Sequence, residues 1–185
     1  MASQVDVKKY LVDFIRKWCI IKGSEIEKED PTIEKLIVKQ ELMLCDQMLA
    51  KDERNFHVWN YRSWIVNTFK SENHALVDNE LKFINSKLEH NFSNFSALHF
   101  KSKNLLSKYA LYLDEHKDEK MEESQELEKI KDILIHRMPF ETLKEEFEKV
   151  KTGLYMQSGE QSMWLYHKWL LDVISPIKVF LFRYI

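Results

Sequence analysis

The sequence predicts an all-α protein built as a solenoid of antiparallel helix pairs. Glycine and proline each occur three times in 185 residues, too few for the many tight turns of a β-sandwich or barrel. Apolar residues recur at the three-four spacing of amphipathic helices, as at Val38, Leu42, Cys45 and Leu49. A motif also repeats along the chain. Repeated helix pairs indicate an α-α superhelix in which each pair packs on its neighbours.

The composition is that of an ordinary globular protein. Hydrophobic residues make up 44% and charged residues 31%, with a net charge of −2. These values exclude a disordered chain and give no basic surface for nucleic acid. No apolar run approaches the length of about 18 residues that a transmembrane helix needs, so we expect no transmembrane segment. Two isolated cysteines, Cys19 and Cys45, predict reduced, buried thiols and a cytoplasmic location.

The repeated motif is clearest in residues 55–63, which read Asn-Phe-His-Val-Trp-Asn-Tyr-Arg-Ser. Residues 94–102 align with them without gaps at an offset of 39. In this second copy Leu98 replaces the tryptophan and Lys101 replaces the arginine. We therefore expect altered packing at the second copy.

Two further copies extend the repeat. The third, residues 161–171, matches the first at three aromatic positions: Trp164 with Trp59, Tyr166 with Tyr61, and Trp169 with Trp64. A fourth, degraded copy opens the chain at residues 10–20. Its matches are Tyr10 with Phe56, Arg16 with Arg62, and Trp18 with Trp64, whereas Asp13 stands at the tryptophan position.

The copies divide the chain into helix pairs within one helical-repeat domain over 1–185. We predict helices at 33–50 with 55–69, 75–90 with 94–107, and 141–157 with 160–174. A charged insertion occupies about 107–139. It reads as a solvated segment with a helix near 122–136, and Pro139 is expected to end that helix.

The motif resembles the signature repeat of protein prenyltransferase alpha subunits, in which an asparagine, an aromatic residue, a tryptophan and an arginine follow in order. The resemblance covers most of the chain apart from the insertion and the C-terminal tail. Three stretches favour the Rab (type II) geranylgeranyltransferase branch: 52–57, 91–96 and 161–171. Because the chain begins inside a repeat, we expect a truncated piece of such a subunit, with the apolar tail 177–185 covering its other end.

The resemblance implies a crescent of helix pairs around a catalytic beta subunit that holds the zinc ion and the lipid pocket. No cofactor or metal is expected in this chain, which has no metal-ligand spacing, phosphate loop or nucleophile motif. The implied reaction transfers a geranylgeranyl group from geranylgeranyl diphosphate to a C-terminal cysteine of a Rab protein, which a Rab escort protein presents. Zinc makes the thiolate, and positive charge stabilises the leaving diphosphate.

The resemblance also implies which residues face the diphosphate. A lysine of the family, two positions before the aromatic residue of the repeat, corresponds to Lys8, which precedes Tyr10. The alternative for Lys8 is a solvent-facing lysine. In the next copy the equivalent residue is Arg54, followed by Asn55 and His57. Arg54 contacts either phosphate or a beta-subunit carboxylate, and His57 donates a hydrogen bond either near the diphosphate or across the subunit interface.

The other motif residues are interpreted as structural. Aromatic side chains at helical spacing within repeats usually pack in the core and between repeats. Asn55 and Asn94 are expected to cap their helices, and Arg62 and Lys101 to bond carbonyls or carboxylates of a neighbouring repeat. The structural set is Trp59, Tyr61, Arg62, Trp64, Asn94, Phe95, Trp164, Tyr166 and Trp169.

Two alternative functions stay open from the sequence. One is the alpha subunit shared by farnesyltransferase and the type I geranylgeranyltransferase, which acts on substrates ending in a prenylation box without an escort protein. The other is a non-catalytic helical-repeat scaffold that binds peptides. The motif and its offset of 39 residues differ from the tetratricopeptide pattern, which argues against the scaffold.

Overall fold

The structure, a computed structural model, describes residues 15–23, 31–70, 75–116 and 125–174. Within these ranges the chain is helical apart from short connections, and no strand occurs there. The prediction of an all-α fold is confirmed. No helix in this part of the chain is long and apolar enough to cross a membrane.

The described residues form eight helices. Their bounds are 15–23 (α1), Pro31–Lys51 (α2), Phe56–Phe69 (α3), Ala75–His90 (α4), Phe95–Glu115 (α5), Gln125–His136 (α6), Phe140–Met156 (α7) and Gln161–Ile174 (α8).

The six helices of the predicted pairs have bounds within one or two residues of those observed, with α5 as the exception, and the helix predicted near 122–136 is described from Gln125. This helix continues to Glu115 instead of ending near residue 107. Its additional turns pack against the rest of the protein: Tyr109 is buried, and its hydroxyl lies 2.9 Å from Thr142 Oγ1 of α7. The motif marks where a helix begins, whereas the end of α5 depends on this later contact.

The insertion contains a packed helix. Ile133 of α6 and Met138 beyond it are buried, and α6 lies against α7 and α8. The prediction that Pro139 ends this helix is wrong. α6 ends at His136, Arg137 then adopts a φ of 62°, and Pro139 directly precedes α7. Proline suits that place because its fixed φ is compatible with a helix start and no N–H is needed there.

The chain consists of two compact units, Met1–Gln47 and Met48–Ile185. In the first unit Cys45 is buried, as predicted, but Cys19 is exposed. Cys19 lies off the face of α1 that Ile20 buries, because neighbouring helical residues point about 100° apart. The assignment of the chain to a single domain stays a prediction.

The core of the second unit lies between stacked helix pairs. α4 packs on α5, α7 packs on α8, and α5 packs on α8. Trp59 of α3 stacks on Phe100 with ring centroids 5.6 Å apart and planes 9° apart. The ring of Phe83 lies 6.0 Å from the same indole. This motif tryptophan therefore joins α3 to both helices of the next pair.

Buried ion pairs also join consecutive pairs of helices. Arg62 of α3 lies 2.8 Å from Glu80 of α4, and both side chains are at most 4% exposed. Lys101 of α5 lies 2.6 Å from Glu146 of α7, again with at most 4% exposure. In each case the cation of the motif meets a carboxylate from the first helix of the following pair.

The carboxylates occupy one position of the repeat. In the first unit Glu41 pairs at 2.7 Å with Arg16, the residue that matches Arg62 in the degraded copy. Each acid stands fourteen residues before the residue that opens the second helix of its pair: Glu41 before Asn55, Glu80 before Asn94, and Glu146 before Glu160. The repeat therefore includes a cation and an acid that pair across successive copies.

Candidate functional site

Three short turns of the same construction connect the two helices of each pair: 52–55, 91–94 and 157–160. We call them the motif turns. In each, the first N–H bonds the carbonyl four residues earlier, and the last N–H bonds the carbonyl of the first turn residue at 3.1 to 3.2 Å. This shared geometry places the first residues of α3, α5 and α8 in equivalent positions.

Asparagine side chains cap the helices at the first two motif turns. Asn55 Oδ1 accepts a hydrogen bond from the Val58 N–H at 3.2 Å, and Asn94 Oδ1 accepts one from the Ala97 N–H at 3.0 Å. Such caps satisfy N–H groups that the helix itself leaves without partners. The predicted capping role of both asparagines is confirmed by these bonds.

Glu53 holds the first motif turn against the second. Its carbonyl accepts hydrogen bonds from Trp59 Nε1 at 2.9 Å and from Asn94 Nδ2 at 3.0 Å. Its carboxylate accepts a further bond from Asn91 Nδ2. The conformation of the first turn therefore depends on two side chains of the second.

A second set of contacts extends the row to the third turn. Arg54 Nη2 donates to Ser93 Oγ at 3.3 Å, and Ser162 Oγ donates to the Ser93 carbonyl at 3.1 Å. Hydrogen bonds from Ser162, with a smaller contribution from the positive charge of Arg54, lower the pKa of Glu160. The three motif turns thus form one continuous polar edge.

The predicted diphosphate-facing residues fall into two groups. Arg54, Asn55 and His57 lie together at the first motif turn, with Arg54 and His57 exposed and Asn55 partly buried as the cap. Lys8 and Tyr10 lie outside the described residues. The part that is described therefore offers two exposed basic side chains beside the N-terminus of α3.

Large apolar side chains are exposed beside the same edge. Phe56 and Phe95 begin α3 and α5 and are 59% and 52% exposed. Trp164, near the start of α8, is 51% exposed. Packing in the core or between repeats was the expectation for Trp164, and its exposure contradicts that expectation. Phe95 lies at the helix start, off the buried face, and no helix of the described part covers Trp164.

The remaining motif aromatics pack to different extents. Trp59 and Tyr166 are buried, whereas Tyr61, Trp64 and Trp169 are half-buried. Tyr61 stacks on Trp64 with centroids 5.8 Å apart, and Tyr166 stacks on Trp169 at 5.3 Å. The same pair of rings therefore stacks in the first and third copies.

Sequence reasoning missed three acidic residues that organise this region, Glu53, Glu80 and Glu146. Glu80 and Glu146 could have been recognised in the sequence. Like Glu41, each stands fourteen residues before the residue that opens the next second helix. Glu53 could not have been recognised in this way, because it acts largely through its backbone carbonyl, which every residue has. In the described part of the chain, no group of three or more His, Cys, Asp or Glu residues is arranged to hold a metal ion.

We expect Asn94→Ala to destabilise the protein more than Asn55→Ala. Loss of an N-cap costs about 1 kcal/mol. Asn94 is fully buried and also donates to the Glu53 carbonyl, so its loss should total about 2 kcal/mol. Urea unfolding followed by circular dichroism measures both. An Asn55→Ala loss equal to that of Asn94→Ala would contradict the role of Asn94 between the turns.

Comparison with known proteins identifies the repeat. Residues 38–69, which include the first motif turn and α3, match the family model described as "Protein prenyltransferase alpha subunit repeat". The chain is 32% identical over 137 residues to the geranylgeranyl transferase type-2 subunit alpha of Sus scrofa, covering 74% of this chain and 20% of the relative.

Fungal relatives with the same name give similar matches. Identity is 27% over 137 residues with the protein of Schizosaccharomyces pombe, which covers 74% of this chain and 35% of the relative. It is 30% over 140 residues with that of Candida albicans, covering 72% of this chain and 38% of the relative. The chain thus spans between about a fifth and two fifths of these relatives. On the strength of the repeat and these relatives, the chain belongs to the protein prenyltransferase alpha subunit family.

Proposed function

We propose that this chain acts as part of the alpha subunit of a type-2 geranylgeranyltransferase. The enzyme would transfer the geranylgeranyl group of geranylgeranyl diphosphate to C-terminal cysteines of Rab proteins presented by a Rab escort protein. The observation that carries the proposal is the first motif turn, which displays Arg54 and His57 at an exposed edge within the segment that matches the family repeat.

The chemistry of the reaction explains why such an edge is useful. The thiolate sulfur forms a bond to C1 of the lipid while the bond between C1 and the diphosphate oxygen breaks, so negative charge grows on the leaving diphosphate. A guanidinium offers five donors and a permanent charge that suit phosphate oxygens. The N-terminus of α3 adds its positive dipole end at the same place. These groups would lower the barrier by stabilising that charge.

A beta subunit would supply the rest of the site. We propose that it holds the zinc ion that makes the thiolate and the pocket for the lipid, and that this chain needs no cofactor of its own. Exposed Phe56 and Phe95 beside the motif turns are suited to contact such a partner, since aromatic residues are enriched at protein interfaces. The isolated cysteines of the sequence support a cytoplasmic location for the complex.

Co-expression with the type-2 beta subunit tests this proposal. We expect a one-to-one complex that geranylgeranylates a Rab protein in the presence of the escort protein. Arg54→Ala should lower kcat/KM roughly tenfold, less than the loss of a fully buried oxyanion donor because Arg54 is exposed. Lys82→Ala removes an exposed cation of α4 and is the matched control.

Other outcomes separate the alternatives. Equal losses of kcat/KM in Arg54→Ala and Lys82→Ala would contradict a specific role for Arg54. Transfer to a protein ending in a prenylation box, without the escort protein, would favour the subunit shared by farnesyltransferase and the type I enzyme. Absence of any complex with either beta subunit would favour the scaffold.

A further inference from the structure

An open cavity of about 550 Å³ lies between the helix pair α4 and α5 and the helix pair α7 and α8. Three buried residues, Lys101, Glu146 and Tyr166, bring polar groups to it. Cavities of about 300–1,000 Å³ that combine apolar walls with a few converging polar groups are typical of small-molecule sites. The apolar side chains that line this one are Leu88, Phe92, Leu98, Val150, Met156 and Met163.

The preceding junction between helix pairs holds aromatic rings where this one holds the cavity. There Trp59 of α3 packs against Phe83 of α4 and Phe100 of α5, with ring centroids 6.0 Å and 5.6 Å away. At the equivalent positions of the next junction stand Leu98, Lys149 and Tyr166. A leucine and a lysine thus replace two aromatic rings, and both of them line the cavity. The cavity therefore lies where the repeat elsewhere places planar aromatic groups.

Lys101 brings hydrogen-bond donors to the cavity that the protein does not fully use. A lysine ammonium has three donors. Among the described residues, the carboxylate of Glu146, 2.6 Å away, is the acceptor that pairs with Lys101 Nζ. Lys101 is only 3% exposed, so contact with bulk solvent is restricted. Buried donors are costly without an acceptor, and an oxygen atom of a ligand in the cavity would provide one.

The charges around Glu146 favour a negatively charged ligand. One oxygen of Glu146 pairs with Lys101 and the other with Lys149, each at 2.6 Å. One carboxylate therefore meets two ammonium groups, and this group of three keeps one positive charge that it does not balance. The other carboxylates that line the cavity, Glu89 and Glu148, are exposed, so water and salt screen their charges.

We propose that this cavity binds a small planar aromatic carboxylate. The ring would lie beside Leu98 and contact Phe92 and Met163, because aromatic rings and methionine sulfur atoms pack favourably against another ring. The carboxylate would accept hydrogen bonds from the ammonium groups of Lys101 and Lys149. The inference goes beyond the proposed function and does not rest on it, since the described residues of this chain form the whole cavity.

Isothermal titration calorimetry of the full chain with 2-naphthoate tests the proposal. We expect binding with a Kd on the order of 0.1–1 mM, the range that the binding energy per atom of a ligand of this size allows. The neutral analogue 2-naphthylmethanol and the non-aromatic cyclohexanecarboxylate should each bind more weakly. Absence of binding at millimolar 2-naphthoate would overturn the proposal. Equal affinity for 2-naphthoate and 2-naphthylmethanol would overturn the assignment to a carboxylate.

Two variants locate the bound molecule. Leu98→Trp restores the tryptophan of the motif and fills the cavity, so it should weaken 2-naphthoate binding at least tenfold while circular dichroism shows an unchanged helix content. Unchanged affinity in this folded variant would place the ligand elsewhere and overturn the proposal.

Lys149→Met gives a second test that does not depend on how the larger side chain is accommodated. It should weaken 2-naphthoate binding about threefold, as expected for one partly exposed charge, and leave 2-naphthylmethanol unaffected. Lys151→Met is the matched control, because Lys151 lies on the same helix, is 59% exposed and does not line the cavity. Equal effects of the two lysine variants would contradict a carboxylate bound beside Lys149.

Discussion

Replacement of Glu146 by alanine is expected to lower the free energy of unfolding by about 3 kcal/mol or more, since it removes one partner of a buried ion pair. Glu146 accepts hydrogen bonds from Lys149 Nζ at 2.6 Å and from the Tyr166 hydroxyl at 2.8 Å, and it pairs with Lys101 at 2.6 Å. Without the carboxylate, the Lys101 ammonium and the Tyr166 hydroxyl lose this acceptor while they stay buried.

The ionisation of Lys101, Tyr166 and Glu146 agrees with this expectation. Burial lowers the pKa of Lys101, and the attraction of Glu146 only partly offsets that effect. Burial and the nearby carboxylate raise the pKa of Tyr166 well above its usual range. Burial alone would raise the pKa of Glu146, but the ammonium groups of Lys101 and Lys149 hold it below the usual value. The carboxylate is therefore charged in the folded state.

An exposed ion pair on the same helix provides the control. Glu148 lies 3.2 Å from Lys151, with 64% and 59% exposure, so Glu148→Ala should cost at most about 1 kcal/mol. Lys101 and Glu146 line an open cavity of about 550 Å³, and water entering it would reduce the cost of an unpaired Lys101. We therefore place the expected loss at the lower end of the range for buried pairs. Urea unfolding that gave equal losses for the two variants would contradict the importance of the buried pair.

The lowered pKa of Glu146 also gives the sign of a pH dependence. A carboxyl with a lower pKa in the folded state contributes stability above its unfolded pKa of about 4.5, and the contribution disappears as pH falls through the folded value. The stability of the unchanged protein should therefore approach that of Glu146→Gln as pH falls from the unfolded pKa through the lower folded pKa. If the two proteins still differed in free energy of unfolding at lower pH, the difference would arise from the shape of the side chain and not from its charge.

The helix pairs could be predicted from the sequence because their starting signals are local. In the first two copies an asparagine cap and the motif that follows it lie within nine residues, so each of these copies marks the start of a second helix. Features that depend on distant contacts could not be predicted in this way. The length of α5 depends on the contact between Tyr109 and Thr142, and the place of Pro139 depends on where α6 ends.

The candidate site was predictable to the same extent. Arg54, Asn55 and His57 are consecutive or nearly so, and their presence on one turn follows from the chain itself. The contacts that hold this turn come from Asn91, which donates to the Glu53 carboxylate 38 residues earlier, and from Asn94, which donates to the Glu53 carbonyl 41 residues earlier. A tryptophan in the motif likewise does not reveal whether another helix pair covers it, as the difference between Trp59 and Trp164 shows.

Replacement of Trp59 by alanine should cost about 3–5 kcal/mol, as for other large aromatic residues in cores. The same replacement at Trp164 should cost less than about 1 kcal/mol, as for exposed positions. Both indoles occupy the same place in the motif and donate at 2.9 Å to a backbone carbonyl six residues earlier. They differ in burial, since Trp59 is 1% exposed and stacks on Phe100, whereas Trp164 is 51% exposed.

Urea unfolding of the two single variants separates the two contributions of the motif tryptophan. A hydrogen bond to the backbone is common to both sites, partly buried at Trp59 and exposed at Trp164, so its loss contributes to both measurements. Burial against the next pair exists only at Trp59, and the difference between the losses therefore measures it. Equal losses would mean that the hydrogen bond is the main stabilising contact and would leave no role for a following pair. A large loss confined to Trp59 would mean that the motif tryptophan stabilises the fold where another helix pair covers it.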